Sequence, residues 1–176
     1  MRINVRFAGA GGQGVILASV LLAKGYGLGE NYNVVQTQSY GPEARGGACK
    51  AEVVVSDEEI DYMKVDEADV FVALNQIGYD IYAGCVKKGG IVLVNSTLVE
   101  AKDPRHYEIA ATEMAESMGN PMAVNIITLG ALTKLMPKVH FPTIEKEIIK
   151  NFQDPVRAAN LEAYKMGYET MKHKLP

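Results

Sequence analysis

Apolar residues recur along the chain with two different periods. At the N-terminus Ile3, Val5 and Phe7 alternate with Arg2, Asn4 and Arg6. That two-residue period belongs to a strand that buries one face. The run ends in Gly9-Ala10-Gly11-Gly12-Gln13-Gly14, after which residues 15–25 carry apolar or small side chains nearly all round. A helix packed on a sheet reads this way. Residues 33–38 predict a second strand, ended by the breaker-rich segment 39–47, and residues 51–55 a third, ended by an acidic turn. Residues 70–74 and 91–94 are short, continuous apolar runs of the kind found in fully buried strands. Between them, residues 75–86 predict a helix closed by Lys87-Lys88-Gly89-Gly90, which offers positive charge and a C-cap glycine. A short strand at 106–110 and helices at 112–118, 121–135, 143–152 and 155–172 complete the pattern. Strands alternating with helices predict an α/β, Rossmann-like three-layer domain, with a mostly parallel sheet flanked by helices. With no internal repeat, low-complexity stretch or linker, residues 1–176 read as a single domain.

Composition removes several classes of function. The net charge is -3 and basic residues never form a dense run, which argues against a nucleic-acid partner. The longest apolar run, residues 15–23, is far shorter than the roughly 20 residues that span a bilayer. The N-terminus enters a strand pattern at once, unlike a signal peptide, so a cytoplasmic location is expected. Cys49 and Cys85 are far apart and form no CxxC pair, and His106, His140 and His173 are equally scattered. No metal centre is expected from this chain alone, because zinc and iron–sulfur sites usually take four such ligands.

Two glycine-framed turns remain as candidate chemistry. Gly9, Gly11 and Gly14 satisfy G-x-G-x-x-G between a strand and a helix, with Gly12 in addition. Such a loop lets backbone N–H groups approach a phosphate or carboxylate at a helix N-terminus. The same glycines also serve tight helix–sheet packing. A dinucleotide fold carries an acidic residue at the end of its second strand; here Gln36, Thr37 and Gln38 occupy that place, which disfavours a nicotinamide cofactor. The second turn, Tyr40-Gly41-Pro42-Glu43-Ala44-Arg45-Gly46-Gly47, offers an Arg, a Glu and a Tyr. Arg45 suits a phosphate or carboxylate, an internal pair with Glu43, or a subunit interface. Loops after the first two strands of a doubly wound sheet share the carboxyl edge, where ligands bind. Cys49 reads as a small core residue, and Asn75-Gln76 as a helix cap. Asn95-Ser96-Thr97 sits at a comparable strand end and stays open between cap and contact.

The two loops together, with residues 54–61 and Asn160 to Glu169 near the C-terminus, resemble the gamma subunits of 2-oxoacid:ferredoxin oxidoreductases. The resemblance runs almost end to end. The Tyr-Gly-Pro-Glu-Ala-Arg-Gly-Gly form is most similar to the 2-oxoglutarate type, ahead of pyruvate, ketoisovalerate and indolepyruvate relatives. It implies an enzyme that oxidatively decarboxylates a 2-oxoacid to an acyl-CoA and reduces ferredoxin, with this chain inactive by itself. It implies thiamine diphosphate and magnesium on alpha and beta subunits, and iron–sulfur clusters on the beta subunit or on a ferredoxin-like delta subunit, all of them partners of this chain. An orphaned interface would let the isolated chain form a homodimer. It also implies that Gly11, Gly12, Gln13, Gly14, Tyr40, Glu43 and Arg45 face coenzyme A or a partner subunit. A stand-alone Rossmann-like nucleotide binder or an interaction module is the other reading.

Overall fold

The computed structural model describes residues 1–39 and 48–173. Six strands form one sheet: β1 (Arg2–Gly9), β2 (Asn33–Ser39), β3 (Cys49–Ser56), β4 (Ala68–Ala73), β5 (Val86–Asn95) and β6 (Tyr107–Ile109). Their order is β2-β3-β1-β4-β5-β6. The strands β1, β4, β5 and β6 run parallel; β3 is antiparallel to both β1 and β2. Among the described residues six α-helices accompany them: α1 (Val15–Lys24), α2 (Gln76–Tyr82), α3 (Ala111–Ser117), α4 (Val124–Leu135), α5 (Phe141–Asn151) and α6 (Val156–Thr170). The predicted three-layer α/β architecture is therefore the one observed.

Strand alternation divides the core into two faces. Ile3, Val5 and Phe7 join Val53, Val72 and Leu93 on the side where α1, α3, α4, α5 and α6 pack. On the opposite side Phe71, Ala73, Val92 and Val94 meet Tyr79 and Tyr82 of α2. The layers are lopsided, five helices against one. At the crossing of α4 and α6, backbones touch: a Cβ on Gly167 would lie 1.9 Å from the Ile127 carbonyl oxygen, and one on Gly130 2.1 Å from that of Tyr164. Only glycine permits that approach.

Three expectations need correction. The polar members of the β1 alternation, Asn4 and Arg6, are buried. They remain so because β3 and the segment before β4 satisfy them. Arg6 faces Glu52 in register, its Nε donating to the carboxylate at 2.8 Å, and it also donates to the Val65 carbonyl. The helix placed at 75–86 stops at Tyr82, followed by a 3₁₀ turn Ala83–Cys85. Residues 87–90, read as a helix stop, belong to β5, where pairing shifts between Ala68↔Val86 and Val70↔Ile91. Gly89, at φ 80°, provides the left-handed step of that irregularity. Finally, α1 does not end at Gly25 but continues as a π-helical turn, Gly25–Gly29. Among the described residues no helix is long and apolar enough to cross a membrane.

Candidate functional site

The chain leaves β1 toward one side of the sheet to make β2 and β3, then returns to β1's other side with β4. The carboxyl ends of β1 and β4 are thus a topological switch point, where open α/β sheets form their ligand crevice. Residues 10–14 occupy it. Gln13 closes the loop: its N–H donates to the Ala10 carbonyl at 3.2 Å, and its Oε1 accepts from the Ala10 N–H at 2.7 Å. Its Nε2 donates to the Leu74 carbonyl at 3.2 Å, tying the loop after β1 to the end of β4. The Gln13 side chain, a candidate for ligand contact, is therefore engaged in holding the loop.

The glycines divide by cause. Gly14 caps α1 at φ 75° and ψ 23°, and a Cβ there would meet Asn125 Nδ2 at 2.2 Å. Gly12 has φ 86° with nothing within 4 Å of an added Cβ. Gly11 has neither a positive φ nor a neighbour within 4 Å, and it is exposed. Nothing internal to the described chain requires glycine at 11. The Gly11 backbone is open to the surroundings of the loop. No side chain caps the N-terminus of α1, so its first-turn N–H groups also point to this edge.

Three buried or half-buried amides stand behind the loop: Asn75 and Asn95, which the sequence left between cap and contact, and Asn125, which it did not single out. Asn125, at the start of α4, donates to the Gly14 carbonyl at 3.2 Å. Asn95, the last residue of β5, is fully buried; it donates to the Leu74 carbonyl at 3.3 Å and to Thr112 Oγ1 at 2.9 Å. Asn75 caps α2 by accepting from the Gly78 N–H at 2.9 Å, the role expected of it. The sequence signal for Asn95 and Asn125 was a lone amide at the end of, or inside, an apolar run, since such a residue must find partners when buried.

Tyr40, Glu43 and Arg45 lie outside the described residues. The strands that flank them are described. Ser39 pairs with Lys50 and Gly9 with Cys49, so the end of β2, the start of β3 and the end of β1 line up at one edge. Cys49 packs against the main core, and burial pushes its thiol up, away from the thiolate. This edge is one of backbone donors and neutral amides. It suits binding an anion more than moving a proton.

Sequence and structure comparisons place the chain among known proteins. Residues 4–170 match the family model described as pyruvate ferredoxin/flavodoxin oxidoreductase. The 2-oxoglutarate synthase subunit KorC of Methanocaldococcus jannaschii is 46% identical, with 98% of this chain and 95% of that protein covered. Its counterpart of the same name in Methanothermobacter marburgensis is 41% identical, with 96% of each covered. The crystal structure of a keto/oxoacid ferredoxin oxidoreductase gamma subunit from Geobacter sulfurreducens superposes with a TM-score of 0.86 at 36% identity, covering 96% of this chain and 95% of that one.

Proposed function

We propose, because this chain belongs to the pyruvate ferredoxin/flavodoxin oxidoreductase family, that it is the gamma subunit of a 2-oxoacid:ferredoxin oxidoreductase whose 2-oxoacid is 2-oxoglutarate. The observation that carries this reading is whole-length similarity to subunits named for 2-oxoglutarate synthesis, covering nearly all of both chains. The assembled enzyme oxidatively decarboxylates the 2-oxoacid to its acyl-CoA and passes two electrons to ferredoxin. Thiamine diphosphate, held with magnesium on alpha and beta subunits, supplies the decarboxylation chemistry. A four-thiolate cluster is beyond the two cysteines of this chain, so the clusters belong to the beta subunit or a ferredoxin-like delta subunit.

This chain's own share is the coenzyme A side of the site. The exposed Gly11 and Gly12 leave backbone N–H groups open to phosphate oxygens, Gly14 leads into the uncapped α1, and Gln13 keeps the loop shut. Arg45, with Tyr40 and Glu43 of the same segment, is to supply a guanidinium, since the strands that flank that segment end at the same edge. A cytoplasmic setting fits the reduced partners such an enzyme needs.

Purification of the tagged chain from its native source tests the reading. We expect a coloured complex with larger subunits that reduces viologen only when 2-oxoglutarate and coenzyme A are both present. Recovery of the chain alone, as a colourless monomer or homodimer, would overturn the subunit assignment. A complex that prefers pyruvate would overturn the choice of substrate alone.

A further inference from the structure

Asn95 closes β5 with its side chain fully buried, at a position where a Leu of similar size would fill the volume. An amide in that place needs every polar atom occupied. It has them. Its Nδ2 donates to the Leu74 carbonyl at 3.3 Å and to Thr112 Oγ1 at 2.9 Å, while its Oδ1 accepts from the Thr112 N–H at 3.2 Å. The Leu74 carbonyl also takes the Gln13 amide, at 3.2 Å, so both lone pairs of that oxygen are engaged. From Gln13 the path continues to the Ala10 N–H at 2.7 Å, next to the open Gly11. Thr112, Asn95, the Leu74 carbonyl, Gln13 and Ala10 form one unbroken line of hydrogen bonds from α3 to the glycine loop.

We propose that Asn95, anchored by Thr112, is a positioning residue that fixes the glycine loop through the Leu74 carbonyl. Its geometry is independent of what the loop binds; its consequence for coenzyme A rests on the function proposed above. Asn95 touches no reacting atom. It acts by holding Leu74, and through Gln13 it sets where the N–H groups of Gly11 and Gly12 stand. Without Thr112 Oγ1, one Nδ2 hydrogen has no acceptor in a closed site. The amide then turns to find one, and the Leu74 bond goes with it.

The test uses the assembled enzyme carrying Thr112→Val, Thr112→Ser or Asn95→Asp. Serine keeps the acceptor, valine removes it, and aspartate cannot donate to Leu74. The first readout is hydrogen exchange of the Ala10 amide without coenzyme A. Thr112→Val and Asn95→Asp should speed it roughly five- to tenfold, while Thr112→Ser leaves it as in the unaltered enzyme. The second readout is KM for coenzyme A, which should rise by a similar factor in the same two variants, with kcat and the KM for 2-oxoacid unchanged. Unchanged Ala10 exchange in both Thr112→Val and Asn95→Asp would overturn the positioning role, and so would a serine variant as impaired as valine. Faster Ala10 exchange with an unchanged coenzyme A KM would leave the positioning role standing and sink the coenzyme A reading of the loop.

Discussion

Alanine at Gly11, Gly12 and Gly14 should produce three different outcomes, although the three glycines belong to one motif. At Gly11 an added methyl meets nothing within 4 Å and the backbone needs no left-handed geometry, so stability should change by at most ~0.5 kcal/mol. At Gly12 the space is equally open but φ is 86°, so the cost is the left-handed conformation, about 1–2 kcal/mol. At Gly14 that cost returns at φ 75°, and the methyl would also stand 2.2 Å from Asn125 Nδ2 and 2.5 Å from its Cγ. Asn125 must move, which breaks its bond to the Gly14 carbonyl and strands a buried amide, a further ~1–3 kcal/mol. The Gly14→Ala total is then about 2–5 kcal/mol, or a melting temperature lower by roughly 4–20 °C in a chain of this size. Thermal unfolding of the three variants, alone and with Asn125→Ala, measures each contribution. Truncating Asn125 to alanine removes the Nδ2 and Cγ contacts and leaves only its Cβ, 2.9 Å away, so Gly14→Ala should cost less in that background, closer to the about 1–2 kcal/mol of the left-handed conformation. If Gly14→Ala melts together with Gly12→Ala, or its cost is the same with and without Asn125, the division of causes is wrong.

Three further outcomes are expected. Gly167→Ala meets backbone, which cannot rotate away as a side chain can, so α4 and α6 must separate; denaturant titration should show a loss of about 3 kcal/mol or more. Glu30 is held below the usual carboxylate range, chiefly by the hydrogen bond from Thr143 and also by His140. Its folded value is the lower one, so its contribution is complete above the unfolded carboxylate range and is lost as pH falls through the folded value. Melting curves of the unaltered chain and Thr143→Val should therefore differ at neutral pH and converge in acid; a gap that does not narrow would refute the assignment. Arg45→Ala should raise the coenzyme A KM of the assembled enzyme about ten- to a hundredfold while decarboxylation without coenzyme A continues, because a guanidinium–phosphate pair contributes about 1.5–3 kcal/mol.

Strands were legible where burial and period coincide. Ile3, Val5 and Phe7 showed their inward face by alternation, and residues 70–74 and 91–94 showed theirs by continuous apolarity. The start of β5 was hidden because Lys87, Lys88, Gly89 and Gly90 resemble the end of a helix; only pairing with β4 makes them a strand. Arg6 was hidden for a related reason, since the Glu52 that makes its burial tolerable is contributed by β3. At the site, the glycine spacing was readable but its division of labour was not. Whether Gly11 or Gly14 is the free one depends on Asn125, more than a hundred residues along the chain. The amides behind the loop stayed ambiguous because their partners, Leu74 and Thr112, are set by tertiary packing.

The order of the strands also bears on how the chain can be made. Strand β1, made before the rest of its sheet, is flanked in the finished sheet by β3 and β4, so it lacks a neighbour on one side until Ala73 has emerged. The groove on α4 that receives α6 stays open longer still, until Gly167 arrives. Nearly every residue of α4 is buried in the native fold. A nascent chain therefore displays a helix that the native fold buries almost completely until α6 docks, the kind of interval in which aggregation and chaperone capture compete with folding. The docking of α6 is therefore the step that closes this core during synthesis.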